Sequence, residues 1–187
     1  MSGIPRPQLA LRLPRDSHAA MTRLAALLLA AFAAPTMSAC TTLSHDYVGP
    51  EARPFDAEAD ASAQLAAAQQ RAKAAGKLTL AVFGANWCHD SRALAGILAT
   101  PRFRELTQAE YEVVYVDVGV PQTGNGRNLE LAARYGVTDI VGTPTVLVLD
   151  FDRLLNSPED AKSWRNASTR SQDAIFAWLS QWPDSAR

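Results

Sequence analysis

Leu78-Thr79-Leu80-Ala81-Val82-Phe83-Gly84-Ala85-Asn86-Trp87-Cys88-His89-Asp90-Ser91-Arg92-Ala93-Leu94 is the stretch from which the rest of the chain can be read. Leu78 to Phe83 is a short apolar, β-rich run, the pattern of a buried strand. Gly84-Ala85-Asn86 is a brief turn. A helix is predicted from Cys88 to about Ala99, broken around Thr100-Pro101 and resumed through Gln108, because proline ends or kinks a helix at the residue before it. A cysteine in the first turn of a helix meets unpaired N–H groups and the positive end of the macrodipole. Both favour thiolate over thiol, and the thiolate is the nucleophile. His89 would add positive charge when protonated, whereas Asp90 would oppose a second anion. The expectation is a moderately activated thiol. A lone cysteine often packs as a small hydrophobe, a use that suits this one poorly, since it opens a helix behind an aromatic and a polar turn.

Upstream, Asp56 to Gly76 reads as an Ala-rich helix with Asp56 as its cap, Arg71 and Lys73 near its end and Gly76 to stop it. Downstream, Glu112 to Val118 is a strand, Gly119 to Gly126 a polar loop, and Leu129 to Tyr135 a helix closed by Gly136. Thr145 to Leu149 is a strand directly after Pro144, and Asp150-Phe151-Asp152 is a hairpin turn into a weak edge strand near Leu154. Ile175, Trp178, Leu179 and Trp182 form one apolar stripe of a last helix. The first two strands are joined by enough helix for a parallel crossover, and the last two are close enough for a hairpin. The fold class is α/β, a three-layer domain with a mixed four-stranded sheet flanked by helices.

The run Gly84 to Leu94 resembles the Gly-Ala-Asn-Trp-Cys-x-Asp-Cys-Arg-Ala-Leu stretch of exported bacterial proteins of the thioredoxin superfamily. Gly142-Thr143-Pro144-Thr145 is similar to that family's cis-proline loop, which faces the active cysteine. The similarity spans roughly Lys77 to Trp182 and implies a thioredoxin-like fold. It implies Cys88 as catalytic nucleophile, Ser91 as a hydrogen-bond donor to its thiolate, and Thr143 and Pro144 as contacts for substrate backbone held like an extra strand. Trp87 would shield the thiol and contact partners, or simply pack; His89 is either a substrate contact or catalytic acid, or a solvated turn residue. Three positions depart from the family. Ser91 stands where the resolving cysteine would be, Val82 where a buried acid is kept, and Val113 where a partner lysine is usual. A dithiol reductant expels its substrate with a second thiol, and this motif has none.

The chain has 187 residues and only two cysteines, Cys40 and Cys88, too few for a disulfide-stapled miniprotein or an all-cysteine metal site. No cofactor or metal is expected. Gly124-Asn125-Gly126 is a turn, not a phosphate fingerprint, and Asp150 and Asp152 flank a turn and are not a metal pair. With 18 Lys plus Arg against 19 Asp plus Glu, the formal net charge of −1 disfavours nucleic-acid binding. Leu24 to Ala34 is an unbroken apolar run, too short to span a bilayer and suited to a signal-peptide core. Met37-Ser38-Ala39-Cys40 resembles the lipobox of bacterial lipoproteins, which implies acylation of Cys40; cleavage near Ala39 with Cys40 left free is the alternative. Residues 1–39 are therefore expected to be a signal-peptide region, with Met21 as a candidate start. Residues 40–60 are expected to be a lipidated N-terminus and spacer, and 61–187 the thioredoxin-like domain.

Two functions stay open on these grounds. One is an enzyme of the cell envelope, periplasm-facing and lipid-anchored to a membrane, that performs monothiol disulfide exchange or isomerisation on exported proteins bearing cysteines or disulfides, aided by an external thiol or reductase. The other is a binding module that keeps the fold to hold extended clients.

Overall fold

A computed structural model describes residues 49–186. The expected leader at residues 1–39 and Cys40 lie outside the described residues. Helix α1 (Ala61–Ala75) is capped by Asp60, whose carboxylate accepts from Ala63 N, and closes where the Gly76 N–H reaches back to the Ala72 and Lys73 carbonyls. The cap expected at Asp56 is not used. That carboxylate instead accepts from Glu58 N in a local turn, so the helix starts five residues later than the Ala-rich composition suggests.

Strand β1 (Leu78–Gly84) leads into α2 (His89–Leu98), α3 (Pro101–Glu110) and β2 (Tyr111–Asp117). Pro101 sits at the first position of α3, where its missing N–H costs nothing. After β2, the loop expected from Gly119 to Gly126 holds a small hairpin, β3 (Gly119–Val120) and β4 (Asn125–Gly126), around a 3-10 turn at Pro121–Thr123. Helix α4 (Leu129–Ala133) is shorter than predicted. Strands β5 (Thr145–Asp150) and β6 (Arg153–Leu154) form the expected hairpin.

The sheet runs β2-β1-β5-β6, with β1 parallel to β2 and antiparallel to β5. Every residue of β1 is buried, and alternate side chains serve opposite faces. Leu80 and Val82 pack with Leu94, Ile97, Phe103, Trp164, Ile175 and Leu179; Ala81 and Phe83 pack with Leu65, Val116, Leu131 and Leu147. Helices α2 and α3 and the last helix α6 (Gln172–Ala186) thus cover one face, and α1 and α4 the other. On α6, Ile175 and Leu179 are buried while Trp178 and Trp182 pack against the same cluster, as the stripe predicts.

Two segments differ from the sequence reading. Between β6 and α6 lie α5 (Pro158–Lys162) and a 3-10 segment, Ser163–Thr169, whose Trp164 enters the core. The second is the stretch read as spacer. Its described part, residues 49–60, lies against the domain, with Phe55 only 2% exposed in the core beneath α2. Its backbone hydrogen-bonds α2 through Ala52 N to Arg92 O, and a large aromatic recovers more by burial than a solvated linker would. No helix among the described residues is long and apolar enough to cross a membrane.

Candidate functional site

Strand β1 ends at Gly84, and the chain turns through Ala85, Asn86 and Trp87 before α2 begins. Cys88 is the N-cap residue, extended at φ −78° and ψ 123°, with its N–H on Ala85 O at 3.1 Å. It immediately precedes the first turn of α2, whose N–H groups have no partner within the helix. The residue is 8% exposed, and its Sγ donates to Thr143 O at 3.3 Å. The Thr143–Pro144 peptide bond is cis. The sulfur and the proline loop therefore face each other directly, bringing together three of the residues singled out in the sequence.

Ser91 behaves otherwise. It is fully buried, and its hydroxyl makes no hydrogen bond, so the expected bond to the Cys88 sulfur is not formed. The oxygen turns instead toward Gly84, where an added Cβ would lie 2.7 Å from Ser91 Oγ and from the Phe55 ring. Thr143 Oγ1 is likewise buried without a partner. Trp87 is 47% exposed, with its indole N–H donated to Gly119 O at 2.8 Å, which ties the ring to the small hairpin. His89 is exposed, its Nδ1 2.9 Å from Glu51 Oε1. Val82 is buried between Tyr115 and Val146 on the neighbouring strands, and Val113 pairs with Leu80. Neither position offers a proton relay.

Several contributors carry no local signal in the sequence. Glu51 accepts from Arg92 Nε at 2.8 Å, and Arg92 NH1 donates to the carbonyls of Trp87 at 2.9 Å and Asn86 at 3.2 Å. Arg53 adds a second donor to Asn86 O at 2.8 Å. The Asn86 side chain pairs with Phe55 as a strand residue would, accepting from its N–H at 3.2 Å and donating to its carbonyl at 2.7 Å. The hydrogen bond from Arg92 holds the Glu51 carboxyl below the usual glutamate range. In turn, the bond to Glu51 raises the Arg92 guanidinium further. Asp90 Oδ1 accepts from Ser168 N at 2.8 Å and Ser168 Oγ at 2.7 Å, locking the first turn of α2 to the 3-10 segment.

Trp87 and Val141, at 47% and 63% exposure, are the large exposed hydrophobics among the described residues, the first directly before Cys88 and the second two residues before Thr143. A groove of about 410 Å³ adjoins the proline loop, bounded by Val141 and Gly142 on one wall and Lys162 and Arg165 on the other. No group of three or more metal-ligating side chains occurs among the described residues.

No protein-family model matches the chain, and no curated protein does. A solved crystal structure of a disulphide isomerase from Xylella fastidiosa Temecula1 does match. It has a TM-score of 0.62 and 35% sequence identity, covering 70% of this chain and 97% of that one.

Proposed function

The chain belongs to the thioredoxin superfamily, and we propose that it performs monothiol thiol–disulfide exchange or isomerisation with Cys88 as the attacking sulfur. The observation that carries this reading is the N-cap sulfur 3.3 Å from the carbonyl of the cis-proline loop. The Cys88 thiolate attacks one sulfur of a client disulfide, forming a mixed disulfide and expelling the other client sulfur as a thiolate. A second thiolate then attacks the client sulfur of that mixed disulfide, and Cys88 leaves as thiolate. If that second thiolate is another cysteine of the client, the client's disulfide is rearranged with no net oxidation or reduction. If it comes from an external thiol, the client is left disulfide-linked to that thiol. Because Ser91 is a hydroxyl, the chain's own motif supplies no resolving sulfur.

We assign contact with the client backbone to Thr143 and Pro144, and an apolar surface beside it to Trp87. We assign the clients to exported proteins, and we propose a leader at residues 1–39 with acylation at Cys40; the apolar run at Leu24 to Ala34 supports this part of the reading. Mass measurement of the chain extracted from cell membranes tests it: a Cys40-initiated, acylated polypeptide is expected, and an unmodified soluble one overturns it.

The catalytic reading is tested with a neutral aromatic disulfide and with a scrambled-disulfide protein in the presence of reduced glutathione. The wild-type chain is expected to form a mixed disulfide at Cys88 and to restore the scrambled protein's activity, and Cys88→Ser to do neither. A wild-type chain that does neither overturns exchange. The burial of Cys88 and the missing second thiol favour one alternative, a client-binding module. That alternative predicts noncovalent capture of extended peptides, equal in wild type and Cys88→Ser.

A further inference from the structure

Residues Pro50 to Phe55 form a strap bonded to the loop that carries the sulfur. The fit is close: an added Cβ at Gly96 would lie 2.0 Å from Pro50 O, so α2 has a bare face where the strap crosses. Ala52 N is bonded to Arg92 O at 3.0 Å, fixing the strap's height along the helix. Phe55 anchors the far end in the core and holds Asn86 through both of its backbone groups.

Between these anchors lies one ion pair. Arg92 is only 15% exposed, and Glu51 receives its Nε at 2.8 Å and its NH2 at 3.4 Å. A guanidinium held through two of its nitrogens keeps one orientation, which an exposed pair with freely turning side chains does not. Its remaining nitrogen, NH1, spans the carbonyls of Asn86 and Trp87, the two peptide groups immediately before Cys88. His89, the residue after Cys88, bonds the same Glu51 carboxylate.

We propose that Glu51 is a positioning residue for Cys88: by clamping Arg92 it fixes the Asn86 and Trp87 carbonyls, and with them the turn that aims the sulfur at a disulfide. The inference rests on the exchange reading above. Attack on a disulfide needs the incoming sulfur close to the line of the breaking bond, so a small reorientation of the turn is costly in rate. Glu51 touches neither sulfur nor client; it acts through Arg92.

The test measures the second-order rate of Cys88 with a neutral aromatic disulfide in the full chain, together with the melting temperature. Glu51→Ala is expected to lower the rate about ten-fold, well within what a displacement of under an ångström costs. Glu51→Gln keeps an oxygen for Arg92 Nε and is expected to recover at least half of that loss on a logarithmic scale, a rescue that mere loss of stability would not produce. Arg92→Lys, which cannot hold the carboxylate and two carbonyls together, is expected to fall as Glu51→Ala does. Wild-type rates in Glu51→Ala and Arg92→Lys overturn the proposal, as does equal slowing by Glu51→Ala and Glu51→Gln. An unreactive wild-type Cys88 instead overturns the exchange reading itself.

Discussion

A buried hydroxyl with nothing to bond sits one helical turn from the sulfur. Ser91 follows Cys88 by three residues, so the sequence suggests that the two side chains meet. That inference misses the rotation fixed by the N-cap: the sulfur turns to Thr143 while the hydroxyl turns under Phe55 and Gly84. Ser91→Ala is therefore expected to leave the Cys88 rate with a neutral disulfide within about two-fold of wild type. It should also raise stability by up to ~1 kcal/mol, because an unsatisfied buried hydroxyl is removed. A several-fold fall in rate would mean that the hydroxyl serves the thiolate after all. Ser91→Cys tests the same spot in the other sense. It is expected to form a disulfide with Cys88 on oxidation and to gain insulin-reducing activity, and a variant without that gain would argue against a redox groove here. Cys88, Thr143 and Pro144 were legible because each is marked by its immediate neighbours. Glu51 was not, since its partner Arg92 lies 41 positions away and neither residue is unusual where it stands.

At the scale of elements, regular periodicity was legible and irregular backbone was not. The β1–α2 junction follows from an apolar run ended by a polar turn, the β5–β6 hairpin from an apolar run ended by Asp150-Phe151-Asp152, and the stripe of α6 from a period of 3.6. Helix α5 was overlooked although its start is written in Ser157-Pro158-Glu159-Asp160: the Ser157 hydroxyl accepts from Asp160 N, proline opens the first turn and two acids follow. The strap has no such mark, because Pro50 and Pro54 resemble a linker and its hydrogen bonds go to other elements. Its ion pair gives it a dependence on acid. Glu51 is held below its ordinary value by the Arg92 hydrogen bond, so the folded carboxylate prefers to be charged. Its contribution is complete above the unfolded value, ordinarily about 4.3, and is lost as pH falls through the lower folded value. Amide-exchange protection at Ala52 is expected to be constant from neutral pH down to about 5 and to fall in stronger acid. In Glu51→Gln that acid step should disappear. A step of equal size in both proteins would place its origin at another carboxylate.

For the molecule as a whole, the strap decides where the domain begins. Read by pattern alone, the domain opens with the Ala-rich helix near residue 61, and everything before it is tether. The packing moves that boundary to about residue 50, since Phe55 belongs to the same cluster as Leu94, Phe103 and Trp164 and meets Tyr115 edge to face at 5.4 Å. Burial there also pushes the Tyr115 hydroxyl up to about 12. The consequence is measurable. A ring standing on a tether can be cut back at almost no cost, whereas a large side chain removed from a packed core leaves a cavity and costs about 3–5 kcal/mol. Phe55→Ala is therefore expected to lower the melting temperature by roughly 10–15 °C. A chain cut at Asp60 keeps every helix and strand, yet it removes the same ring together with the Asn86 and Arg92 contacts, and should be at least as unstable. If both proteins melt within about a degree of wild type, the ring adds nothing to the core, and the strap is a tether that merely lies on the surface.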